Sequence, residues 1–391
     1  MSNPSTPVDP AKKISRRKLI GAMAAGASLT GFPMINFDRY ALFAQPFYEY
    51  SARAIDLIGD SFVFDLKHAL HLNPDILRRW FYHPESFGEE AWQRFRSTGL
   101  TGMQTTVEWH EDVLLDYAMH NSFIATNHQY FTRIDSVQSI ESIMGSGKIG
   151  IMLGSENSDH FHTLEDVDQF YALGQRISQL TYNSQNRLGS GATDRVDGGL
   201  SDYGAAVIER MNAIGMLVDV SHCGEATTLD GIESSTNPVI ISHATCRALV
   251  PKQPRTKTDE AIKLMAKKGG IMGIAFLRVF VRDREPTTVE HALDHIDHVV
   301  KLVGIEHVAV GSDIDLDGYD DLPRAMVEKS KANLKPGTYQ FRDKDDVDGL
   351  NHPRRMFDLA EGLIRRDYSD DNIRLILGGN VKRVLTQVWT P

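Results

Sequence analysis

The stretch GMLVDVSH, residues 215–222, is strand material that stops on a histidine, and PVIISH, residues 238–243, repeats the pattern. Short apolar, β-branched runs bounded by Gly or Pro read as strands buried on both faces. Six more runs of this kind occur: SFVFD (61–65), GLTGMQTTV (99–107), GKIGIMLGSE (147–156), RISQLTYN (176–183), GGIMGIAF (269–276) and HVAVGSDID (307–315). Between them lie segments with helical spacing, such as LEDVDQFYALGQ, YGAAVIERMNAIG and DEAIKLMAKKG. Several of these end in Gly, which stops a helix in the left-handed conformation. Strand–helix–strand crossovers force a parallel sheet, and eight such strands covered on both faces predict a closed (β/α)8 TIM barrel. An open doubly wound sheet is the runner-up, but no Gly-rich phosphate loop follows the first strand.

In such a barrel every strand opens its carboxyl end onto one rim, where active sites are built. Glu156 ends the third strand, His222 the fifth, His243 the sixth and Asp313 the eighth. Two imidazoles and a carboxylate form a common zinc set that leaves a position for water. A metal there lowers the pKa of its water, and Asp313 is placed to take the proton and pass it on. One strand-end histidine among the chain's 15 is ordinarily a hydrogen-bonded structural residue; the case rests on four such residues at equivalent places. Cys223 and Cys246 follow the histidines but read as small buried packing residues.

The chain has 391 residues, 41% hydrophobic, enough for a large core. Its net charge of −10 and pI near 5.8 exclude the basic face a nucleic-acid partner needs. Two cysteines rule out a disulfide scaffold. Near the N-terminus, Arg16-Arg17 directly precede the weakly apolar run IGAMAAGASLTG. This is the layout of a twin-arginine export signal, expected over residues 1–44 with cleavage after Ala44, leaving 45–391 as one barrel domain. Twin-arginine export carries folded proteins, so a periplasmic or otherwise extracytoplasmic location and a metal loaded beforehand are expected. The polar stretch from Asp317 to Arg355 reads as an insertion over one barrel face. HALDHIDHVV (291–300) reads as a packing or solvated helix face. DIDLDGYDD (313–321) lacks the twelfth-position glutamate of a calcium loop, with Arg324 there instead. Neither a Gly-x-Ser-x-Gly elbow nor a His-Glu-x-x-His helix is present.

DVSH…ISHATCRAL…PR, with GKIGIMLGSEN before it and HVAVGSDID after it, resembles the membrane (renal-type) dipeptidase family of zinc peptidases, family M19. The resemblance runs from about Asp60 to the C-terminus and includes LTYNSQN, GGLSDYG, PRTKTDEAI and ILGGNVKRVL. It implies a metal-dependent-hydrolase barrel, a binuclear zinc site and hydrolysis of dipeptides (an EC 3.4.13 type of activity). It further implies Glu156 as the bridging carboxylate, His222 and His243 as ligands, Asp313 as catalytic acid/base and Arg255 as the holder of the substrate carboxylate.

Two departures stand out. The family's first strand carries Asp-Gly-His-x-Asp, and the best match here, Asp60 to Phe64, puts Phe62 and Phe64 at the ligand positions. Asp60 in a shifted frame, and Asp65, are the replacement ligands left for a second metal. Tyr182 stands where the family has a substrate-contacting histidine. One zinc rather than two is therefore expected. The leading function is a zinc hydrolase acting on dipeptides or similar small carboxylates. The alternatives are a diverged hydrolase of another amide, ester or lactone, and a non-catalytic binding protein on the same barrel. A small-molecule substrate and the twin-arginine machinery are the expected partners, and a homodimer is the default assembly.

Overall fold

The computed structural model describes residues 50–107, 112–332, 339 and 341–389. The expected export signal over residues 1–44 lies outside them. Nine strands form the sheet: β1 (Phe64–Asp65), β2 (Gly102–Thr106), β3 (Phe131–Arg133), β4 (Ile149–Ser155), β5 (Gln175–Gln179), β6 (Leu217–Asp219), β7 (Ile240–Ala244), β8 (Ile271–Ile274) and β9 (Val308–Val310). All ladders are parallel. Pairing of β2 with β4 and of β1 with β9 closes eight of them into a TIM barrel, the predicted fold. The ninth, β3, hydrogen-bonds to the start of β4, outside the ring of eight. Three residues are too few to show an alternating pattern, and the sequence reading passes over them.

Strand alternation explains the two cores. Phe64, Met152, Ile177, Leu217, Ile240, Ile271 and Ala309 each face the barrel interior, where they meet Val381, Val384, Leu385 and Val388 of the C-terminal helix Asn380–Trp389. Their neighbours Ile151, Leu153, Val218, Ile241, Met272, Val308 and Val310 face the surrounding helices. A fully buried aliphatic side chain contributes roughly 1.5–3 kcal/mol, so this double layer is the main stabilising term. The C-terminal helix closes the floor of the barrel. Phe62 and Phe64, their rings 5.5 Å apart, belong to this floor and not to the mouth.

The helices start and stop where their sequences dictate. Ser201 caps Asp202–Ile214 at the N-terminus and Gly215 ends it at φ 79°, a conformation that costs glycine little. In the helix Val289–Val303, His295 is buried, His291 caps Thr288 and His298 pairs with Asp259 at 2.8 Å. That histidine-rich face therefore packs, as expected. Among its described residues the stretch from Asp317 to Arg355 contains the helix Arg324–Ala332, and it is pinned to the barrel by buried Arg278, which donates to Asp346 O and Asp348. No helix among the described residues is long and apolar enough to cross a membrane.

Candidate metal centre

Glu156 follows β4 directly, His243 lies within β7, and His222 and Asp313 each sit three residues beyond β6 and β9. All four are at the carboxyl ends of their strands. A register shift between Ile241 and Ala244 interrupts the pleat of β7, and His243 turns its ring to the mouth there. Glu156, His222 and His243 come together: Glu156 Oε1 is 3.6 Å from His222 Nε2 and 3.3 Å from His243 Nε2. The two Nε2 atoms are 2.9 Å apart.

Hydrogen bonds behind the rings decide which nitrogen carries the proton. His222 Nδ1 is 2.8 Å from Asn183 Oδ1, an acceptor only, so Nδ1 donates and Nε2 keeps a lone pair. Ser242 Oγ gives its proton to Asp219 Oδ2 at 2.5 Å and so accepts from His243 Nδ1 at 2.7 Å. Asp219 Oδ1 also takes Ser221 Oγ and the amides of Ser221 and Ser242, tying the two histidine-bearing strand ends together. Both Nε2 lone pairs thus face each other and one carboxylate oxygen. Such a donor set is repulsive by itself and fits a divalent cation, whose bonds of about 2.0–2.2 Å to N and O are compatible with these separations. Asn183, Ser242 and Asp219 orient the ligands in the manner of an outer shell. The sequence reading missed them, although Asp219 and Ser242 lie inside the two quoted motifs.

A cation of the chain's own is also present. Lys67 Nζ lies 3.3 Å from Glu156 Oε1 and donates to Thr106 Oγ1 at the end of β2. Burial alone would push the Glu156 carboxyl up, but Lys67, then His243 and Arg255, pull it down to about 2. Burial holds His222 well below the ordinary imidazole value, with Arg255, His243 and Lys67 acting in the same direction. Both groups are therefore in ligand form at neutral pH. Asp313 behaves oppositely. Burial, and the Glu156 charge, raise its carboxyl above the ordinary value against the pull of His243, Lys67 and Arg255.

The remaining predicted residues fall as follows. Tyr182 stacks on His222 with centroids 4.4 Å apart and is half-exposed at the mouth. Arg255 is buried behind the histidines, donating to Ser221 O and, at 2.9 Å, to His243 O, with Nε unpartnered. Asp60 is exposed at the end of the helix Ala52–Asp60, ahead of β1 and away from the mouth. Asp65 is fully buried; its Oδ1 accepts from Lys67 N at 3.1 Å and Ser312 N at 2.8 Å. Neither aspartate joins the triad among the described residues. Cys223 and Cys246 are both buried free thiols. Tyr339, from the polar stretch after Asp317, reaches back to donate to Asn183 Oδ1 at 2.7 Å, and burial pushes its phenol up to about 12.

Comparison with known proteins agrees with this geometry. The profile of the membrane dipeptidase family (peptidase family M19) matches residues 95–334, more than half of the chain. An uncharacterized dipeptidase of Schizosaccharomyces pombe, C965.12, is 34% identical over 200 residues, 49% of this chain and 47% of that protein. Dipeptidase verJ of Clonostachys rogersoniana is 32% identical over 249 residues, 63% of this chain and 57% of that one. The chain thus spans about half the length of the curated relatives it matches. Among solved structures, an amidohydrolase from Pseudomonas aeruginosa superposes with a TM-score of 0.74 at 27% identity, over 86% of this chain and 99% of that one. A metallo peptidase from Rhodobacter sphaeroides, liganded with a phosphinate mimic of L-Ala-D-Ala, shares the fold at a TM-score of 0.66 and 17% identity, over 84% of this chain and 100% of that one. With the barrel, the three converging ligand atoms and the profile match in agreement, the chain belongs to the membrane dipeptidase family, peptidase family M19.

Proposed function

We propose that this protein is a metal-dependent hydrolase that cleaves the amide bond of a dipeptide or a similar small carboxylate. The observation that carries the reading is the pair of Nε2 lone pairs aimed at Glu156 Oε1. Glu156, His222 and His243 hold the ion, for which one zinc per chain is the proposal. When bound, the ion polarises the substrate carbonyl and acidifies a water. Asp313, raised in pKa and set among Glu156, His243 and Lys67, takes a proton from the attacking water and returns it to the leaving nitrogen. Arg255 has donors beyond the two spent on backbone carbonyls, and a guanidinium pairs well with a substrate carboxylate. Tyr182 supplies a phenolic donor at the mouth, while the Tyr339 hydroxyl is spent on Asn183 Oδ1.

A second reading is favoured by one observation: Lys67 and Tyr182 make this mouth chemically unlike the family's two-metal site, which suits a drift to another amide, an ester or a lactone. Elemental analysis of natively produced protein, joined to hydrolysis assays on dipeptide, ester and lactone panels, tests both. About one zinc with dipeptide turnover supports the first reading. One zinc with turnover only on esters or lactones supports the second. Metal-free protein inactive on every panel after zinc addition would leave the binding-protein alternative. We also propose twin-arginine export to the periplasm and a homodimer. Replacing Arg16 and Arg17 together by Lys should leave folded protein in the cytoplasm, and sedimentation of the mature chain reports its assembly.

A further inference from the structure

Lys67 enters the mouth from the first strand, and its backbone is fixed on both sides. Its N–H donates to Asp65 Oδ1, and its carbonyl accepts from Asp313 N at 2.7 Å and Ser312 Oγ at 3.2 Å. The side chain is 8% exposed and ends on Thr106 Oγ1 and Glu156 Oε1, the oxygen that both histidine Nε2 atoms approach. A buried ammonium is costly unless paired, so the pairing with Glu156 is a fixed feature of the site. The position agrees with the strand frame that the fold imposes. When Asp65 is set on the leading aspartate of Asp-Gly-His-x-Asp, Lys67 falls at the histidine and Ala69 at the last aspartate. Asp65 itself spends one carboxylate oxygen on backbone amides. The first strand therefore brings a positive charge to the mouth at the position where the family motif has a metal-binding histidine.

We infer that the Lys67 ammonium takes the place of a second cation beside Glu156, so that the site holds one divalent ion per chain and holds it against a resident positive charge. This rests on the metal-dependent reading given above. A dication bound to Glu156 Oε1 lies within a few ångströms of the ammonium, and like charges at that range in a buried site repel strongly. Removing the charge while keeping the side-chain volume should tighten metal binding, whereas a purely structural lysine would give the opposite result.

The test is titration of the metal-free full chain with Zn²⁺ by isothermal calorimetry, repeated with Co²⁺ by visible absorption. Wild type, Lys67→Met, Lys67→Arg and Glu156→Gln are compared, each first checked for the native circular dichroism spectrum. Expected are one ion per chain in wild type, binding at least tenfold tighter in Lys67→Met, and wild-type affinity in Lys67→Arg, which keeps the charge. Two ions per wild-type chain, or unchanged or weaker binding in Lys67→Met, would overturn the inference alone. Absence of binding in wild type and Lys67→Met alike, indistinguishable from Glu156→Gln, would remove the metal-dependent reading and the inference with it.

Discussion

Two residues carry the sharpest single-site expectations. Asp313 has φ 63° and Asn183 φ 58°, the left-handed region that side chains with a Cβ rarely adopt but Asp and Asn tolerate. Asp313→Asn therefore keeps the backbone and removes only the base. Turnover should fall by about 10²–10⁴ with KM and melting temperature nearly unchanged; steady-state kinetics on any accepted substrate checks this. Asn183→Gly keeps the left-handed backbone and removes the acceptor that orients His222. Metal affinity should drop roughly 10–100-fold, the usual cost of losing an outer-shell partner, while Asn183→Asp retains it. Competition with a chromophoric chelator would show the difference.

Among the strands, β7 is closely packed beside the ligand His243. A Cβ built on Gly273 or on Gly311 would come 2.0 or 1.9 Å from Ser242 O. Glycine on these two neighbours lets the backbones close around Ser242, whose hydroxyl orients His243. Gly273→Ala should destabilise by about 1–3 kcal/mol or more, as overpacked interiors do, and should weaken metal binding as well. Urea denaturation and a metal titration of the same variant would measure both effects; a stability loss with intact metal affinity would show that His243 does not depend on this packing. The interruption of β7 also explains why simple alternation from Ile240 does not predict the direction of His243.

For the folded chain as one body, acid sensitivity follows from two histidines outside the ligand set, His160 and His295. Burial lowers His160 and His295 to about 4, while both titrate near 6.5 when unfolded. Between those values the unfolded chain binds protons that the folded chain does not, so stability is complete above about pH 6.5 and is lost as pH falls toward 4. Each ring should cost about 2 kcal/mol between pH 7 and pH 5. Chemical denaturation across that range, compared with His295→Gln, should show a shallower decline in the variant. Equal slopes in the two proteins would assign the acid sensitivity elsewhere.

All eight barrel strands and the three metal-ligand candidates were legible from local patterns, because alternation, helical spacing and glycine stops are properties of neighbouring residues. Parallel strands then bring their carboxyl ends to one rim whatever their distance in the chain, so Glu156, His222, His243 and Asp313 followed from topology. Lys67 did not. The first strand is only two residues long, and beyond Asp65 the chain leaves the pleat, so counting positions from Asp60 put Phe62 and Phe64 at a mouth they never reach. The proton positions on His222 and His243 depend on Asn183 and on the Ser242–Asp219 pair, and the charge state of Glu156 depends on Lys67. These are distances of a few ångströms between segments far apart in sequence. They exist only once the barrel closes, because hydrogen bonding and Coulomb attraction act through space and not along the chain.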